Sequence, residues 1–135
     1  MLTPTACRAE IAGLHEFFVE WFTGRADGPS PSRLEDALAP EFEMVTPTGE
    51  RVDREALVDG IAKSHGRHAG ESFDIDVREV ETVALLEDHA VVRYEEWQST
   101  AVGEAGRVST ALFRAEGAAP EGVVWVTLQE TRVES

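Results

Sequence analysis

At Ser72 the hydrophobic period of this chain changes. Before it, apolar residues recur every three or four positions, the spacing of a helix face. After it they alternate every two, the spacing of a half-buried strand. Helices first and long strands second define an α+β domain. The 135 residues read as one domain, 1–135, with no linker, internal repeat or low-complexity tract. A hydrophobic fraction of 42% is enough for a globular core without a metal or disulfide staple.

The first half carries three helix patterns. Thr3–Phe22 places Ile11, Leu14, Phe17, Phe18, Trp21 and Phe22 on one wide apolar face, with Thr5 as the expected cap and Gly24 as the stop. A loop, Arg25–Ser32, leads to a short helix, Arg33–Leu38, with Ser32 as its cap and Pro40 ending it. Phe42–Thr46 alternates as a strand, Pro47–Gly49 turns, and Arg51–Val52 adds a short strand. Asp53 caps a third helix running to His65 or His68, with Leu57, Val58, Ile61 and His65 on one stripe.

In the second half, Phe73–Leu86, Ala90–Thr100, Arg107–Ala115 and Val123–Arg132 read as four strands. The turns fall at Glu87–Asp88, Gly103–Gly106 and Gly117–Gly122, which makes an antiparallel meander. Apolar residues on both faces of Val123–Leu128 predict that one face of the sheet is covered by something other than the helices. A symmetric dimer is the simplest cover.

The formal charge is −14, from 26 acidic and 12 basic residues, so phosphate backbones and anionic lipid are repelled. No nucleic-acid or membrane partner is expected. Cys7 is the only cysteine, which fits a reducing cytoplasm and excludes an internal disulfide. The N-terminus does not read as a signal peptide, and no apolar stretch has the length of a membrane helix.

The order of elements resembles the NTF2-like superfamily, the cystatin-like α+β cone that includes the SnoaL-like cyclases, ketosteroid isomerase and scytalone dehydratase. The likeness spans nearly the whole chain: the long first helix ending at Gly24, LEDALAPEFEMVTPTGERVDREAL (Leu34–Leu57), and the last strands. In wording, YEEWQ (Tyr94–Gln98), ALFR (Ala111–Arg114) and WVTLQET (Trp125–Thr131) look like the SnoaL-like, DUF4440-type group. The resemblance implies a curved antiparallel sheet wrapped on the N-terminal helices around an apolar pocket. It also implies a small apolar molecule as partner and a homodimer through the outer sheet face. At the positions where ketosteroid isomerase carries its Tyr and two Asp, this chain has Phe17, Thr46 and Ala111. None can act as the base or the acidic donor, so the resemblance argues against steroid isomerisation.

Other groups are candidates for acid–base work. Glu95 and Glu96 are adjacent on one strand and point to opposite faces. Matching the strand to the family places Arg93, Glu95 and Trp97 toward the pocket. Glu95 is then the leading acid or base, with a structural pair to Arg93 as the alternative. His65 is either a base at the rim or a satisfied histidine at a helix end. His15 belongs to core packing, and His68 and His89 to solvent. Phe17, Trp21, Thr46, Arg93, Trp97, Ser109, Ala111, Phe113, Leu128 and Glu130 are the candidate ligand contacts, with core packing the alternative for the tryptophans. No spaced His and carboxylate set marks a metal centre, and no cofactor is expected. The chain has no GxSxG or phosphate-binding glycine loop. The functional alternatives are an acid–base isomerase, cyclase or hydrolase, a non-catalytic binding protein, and a dimerisation or protein-interaction module.

Overall fold

The structure is a computed structural model and describes residues 2–133. Helix α1 spans Pro4–Phe22. Its cap is Thr3 rather than Thr5: the Thr3 hydroxyl accepts the Ala6 N–H at 3.1 Å. Proline already has the φ of a first helical residue and no N–H to satisfy, so Pro4 opens the helix one step earlier than the apolar stripe suggests. Gly24 ends it in the left-handed region, at φ +79°.

Helix α2 is a single turn, Ser32–Glu35, and Ser32 opens it rather than capping it. Strand β1 follows at once, Leu38–Val45. Pro40 therefore lies inside a strand instead of stopping a helix. The pairing of β1 with β6 is irregular between Leu38 and Glu43, so the missing proline N–H costs no ladder bond there. Strand β2 is Arg51–Asp53, and α3 is Arg54–Lys63, where the Asp53 carboxylate accepts the Ala56 N–H at 2.9 Å.

Strands β3 (Phe73–Leu85), β4 (His89–Thr100), β5 (Gly103–Ala115) and β6 (Val123–Val133) complete a six-stranded sheet in the order β2-β1-β6-β5-β4-β3. All neighbours are antiparallel except β1 and β6. β5 starts at Gly103, four residues before the expected strand, because Thr100 and Gly103 already pair. Gly106 is a strand residue and not a turn: the Trp97 indole from β4 occupies the space its side chain would fill, 2.6 Å from where a Cβ would sit.

Irregularities bend the sheet. Register shifts occur in β3 at Arg78/Glu81 and Thr82/Ala84, with Glu79 at φ +55°. On β6, Thr127 pairs with Leu112 while Trp125 pairs with Phe113, so Val126 is an extra residue. Helix α1 lies against the concave side, where Ile11 and Leu14 pack with Val92, Tyr94, Ala111, Phe113 and Trp125. One end is closed by Glu10, which is 0% exposed. Arg33 donates to its two oxygens at 2.9 and 3.1 Å, and the Trp125 indole N–H donates at 2.9 Å. Burial pushes the Glu10 pKa up, and these three bonds work against that rise. Among the described residues no helix is long and apolar enough to cross a membrane.

Candidate functional site

A cavity of about 360 Å³ opens between the concave face of the sheet and the helices. Leu14, Phe18 and Phe22 of α1 form one wall, and Leu57 and Ile61 of α3 form the roof. Phe42 and Met44 of β1 and Leu128 of β6 form the apolar floor. A cavity of this size, mostly apolar with polar groups gathered on one side, has the makeup of a small-molecule site.

The polar side comes from one row of residues per strand. On β4 the even-numbered residues point inward, so Tyr94, Glu96 and Gln98 face the cavity. Arg107 on β5 lies directly across from Glu96, and Ser109 lies between Tyr94 and Glu130 in the three-strand register. His15 reaches the same wall from α1. Its ring nitrogens lie 2.7 Å from the Ile11 carbonyl oxygen and 3.1 Å from Glu96 Oε1. Both neighbours accept when Glu96 is ionised, so the arrangement holds His15 as an imidazolium donating twice.

The charges follow this geometry. Burial alone would lower the His15 pKa, but the bond and charge of Glu96 outweigh it and raise it. Burial pushes Glu96 the other way, and the bonds from His15 and Gln98 bring its pKa from 4.5 down to about 2. Glu130 Oε1 accepts from Arg107 at 3.0 Å. Burial still raises the Glu130 pKa, with the charge of Arg107 opposing and that of Glu96 adding. The Tyr94 phenol is pushed well above 10 by burial and by Glu96 and Glu130, and so stays a donor.

These placements correct the sequence reading at several points. Glu95 turns away from the cavity, as do Arg93 and Trp97. The Trp97 indole donates to Glu95 Oε1 at 2.9 Å, its ring lies under Arg78, and Arg93 pairs with Glu81 rather than with Glu95. The inward face of β4 is the one continuing Ala90 and Val92, which are buried. His65 does not reach the cavity. Its Nε2 lies 2.8 Å from the Ala26 carbonyl oxygen, and its ring packs on Trp21 at 4.5 Å.

Phe17 and Trp21 also miss the cavity, because the cavity-facing stripe of α1 runs through His15, Phe18 and Phe22. The Trp21 indole instead donates to the Ile61 carbonyl at 2.7 Å and ties α1 to α3. Ser109, Ala111 and Phe113 face inward but lie fully buried behind the cavity wall. The Ser109 hydroxyl has no hydrogen-bond partner among the described residues. Thr46, Leu128 and Glu130 do line the cavity.

The cavity residues His15, Glu96, Gln98, Arg107 and Tyr94 were absent from the candidate set. The available signal was the alternation itself: Ala90 and Val92 mark the buried face of β4, and Glu96 and Gln98 extend it. Cys7 is buried, and burial pushes its thiol up to about 11, so it stays protonated. Among the described residues no three His, Cys, Asp or Glu side chains are grouped to hold a metal ion.

A bent sheet roofed by helices, with its cavity on the concave side, is the NTF2-like, cystatin-like fold, as the sequence resemblance implies. Within that class, the family model for the C-terminal part of sucrose-6-phosphate phosphohydrolase matches residues 17–134, and the chain belongs to this family. An NTF2-like protein of unknown function from Pseudomonas aeruginosa is similar at 29% identity and TM-score 0.86, covering 96% of this chain and 99% of its own. A hexachlorocyclohexane dehydrochlorinase, LinA-type3, from Novosphingobium barchaimii shares the fold at 12% identity and TM-score 0.65, over 96% of this chain and 88% of its own. The CaMKII hub of S. rosetta does so at 13% identity and TM-score 0.60, over 80% and 99%. No functionally curated protein matches the chain.

Proposed function

We propose that this protein binds a small, mostly apolar molecule in the cone, where Tyr94, Gln98, Arg107 and Glu130 supply one polar wall. The observation that carries the reading is the cavity of about 360 Å³, apolar on α1, α3 and β1 and polar on one wall. A sugar phosphate fits this lining poorly. Its hydroxyls would face Leu14, Phe18, Phe42 and Leu57 with no partner, and each unpaired hydroxyl costs on the order of 1–3 kcal/mol.

Acid–base catalysis is a second reading, favoured by Glu130. It is buried, faces the cavity, has its pKa raised by burial, and accepts one side-chain bond among the described residues. His15 is less suited, because both ring nitrogens are already engaged. A homodimer is a separate proposal. The extra residue at Val126 brings Trp125 and Leu128 onto one face, which accounts for part of the two-faced apolar pattern within a single chain. Exposed Val83, Leu85 and Leu86 at the end of β3 are the apolar group a second copy would cover. A monomer by light scattering at micromolar concentration would remove that proposal.

The cavity reading is tested by thermal-shift and NMR titration with flat apolar acids, amides and ketones. Wild type gains stability of about 2.7 kcal/mol from a ligand at a hundred times its dissociation constant. Leu128→Trp, which fills the cavity, loses that gain. If no compound binds wild type, or if Leu128→Trp binds equally well, the cavity is not the site.

A further inference from the structure

We propose that the ligand is an apolar monoanion whose carboxylate is held by the Arg67 guanidinium at the cavity mouth. This rests on the cavity being a small-molecule site, and adds the chemical class and orientation of what it takes.

The charges lining the cavity do not cancel. His15 lies against Glu96 and Arg107 against Glu130, so each of these two basic groups has an acid beside it. Arg67 is a third basic side chain of the lining. It makes no ion pair with any described residue. Acids on neighbouring turns are engaged elsewhere: Asp27 lies by His65 at 3.6 Å, and Glu71 by His68 at 2.9 Å. Arg8, Arg25, Arg51 and Arg54 also make no ion pair with a described residue; what sets the exposed Arg67 apart from them is that it lines the cavity.

Arg67 is also held in place. The N–H groups on either side of it, at Gly66 and His68, donate to the Trp21 and Phe22 carbonyls at 3.0 and 2.8 Å. These bonds fix its backbone to the C-terminal end of α1. The guanidinium carbon lies 4.5 Å from the centroid of the Phe22 ring. A guanidinium over a ring still has N–H groups that the ring does not use, and these suit two parallel bonds to a carboxylate. Phe22 stacks on Phe18 with ring centroids 5.7 Å apart, and both line the cavity. An apolar body would run inward along these rings from a carboxylate on Arg67. The competing account is an arginine that only shields Phe22 from water.

The test compares naphthalene-1-acetate with naphthalene-1-acetamide, which differ in charge and hardly in shape. Hexanoate to decanoate, with their amides, cover other lengths. Binding is measured by calorimetry and protein NMR at low and high salt. The acid is expected to bind about tenfold tighter than its amide at low salt, with less preference at high salt. Arg67→Gln is expected to abolish the preference while leaving amide binding intact. Arg67→Lys should retain part of it. Arg25→Gln, which removes a nearby charge outside the cavity lining, should retain all of it. Equal affinity of acid and amide for wild type, or an acid preference that survives Arg67→Gln, overturns the Arg67 assignment and leaves the cavity reading standing. If no member of either series binds, the cavity reading falls and this inference falls with it.

Discussion

Glu10 on α1 and Glu96, which faces α1 from β4, are both buried acids, and they do opposite things. Glu10, at the closed end, has three N–H groups on its two oxygens and does not line the site cavity. Glu96, near the open end, has His15 on one oxygen and Gln98 on the other, and forms part of a cavity wall. Among the described residues, the side chain of its neighbour Glu130 accepts only from Arg107. A buried carboxylate therefore does not by itself mark a site. The difference lies in how much hydrogen-bonding capacity is left over, and whether it points into space large enough for a molecule.

The largest effect should come from breaking the closed end. Arg33→Ala leaves Glu10 buried with only the Trp125 indole as partner, and is expected to cost about 3 kcal/mol in urea unfolding. A loss no greater than that of a surface substitution would mean that Glu10 is not the structural acid of the pair. A smaller loss of about 2 kcal/mol is expected for Glu96→Gln, and it should depend on pH. The raised His15 pKa contributes stability that is complete below about 6.5 and is lost as pH rises through the folded value. The lowered Glu96 pKa contributes stability present above 4.5 and lost as pH falls toward about 2. The gap between wild type and Glu96→Gln should then be widest between about pH 4.5 and 6.5 and narrow on both sides. A gap that is flat from pH 4 to 9 would mean that the two groups share no proton. The smallest effect belongs to Glu95→Gln, within about 0.5 kcal/mol and with ligand affinity unchanged, because Glu95 bonds Trp97 on the outer face. Loss of ligand binding in that variant would restore Glu95 to the cavity.

Much of the fold was legible because it rests on local periodicity. The change of period at Ser72 separates α1–α3 from the long strands β3–β6, and Asp53 and Gly24 act where their chemistry places them. The site was less legible because it depends on one-residue phase. On β4 a choice between odd and even residues exchanges Arg93, Glu95 and Trp97 for Tyr94, Glu96 and Gln98. On α1 a rotation of one residue exchanges Phe17 and Trp21 for Phe18 and Phe22. On β6 the extra residue at Val126 reverses the alternation partway, so that Trp125 and Leu128 share a face.

By itself the sequence determined the α+β order, the apolar stripes and an acidic surface, all of which follow from residue types and their spacing along the chain. Only the tertiary structure decided which acid is saturated and which faces open space. Glu10 meets Trp125 across 115 positions of chain, and His15 meets Glu96 across 81, distances over which no local pattern carries information. Those meetings are set by how α1 docks on a bent sheet, and the bend depends on extra residues whose positions the alternation does not announce.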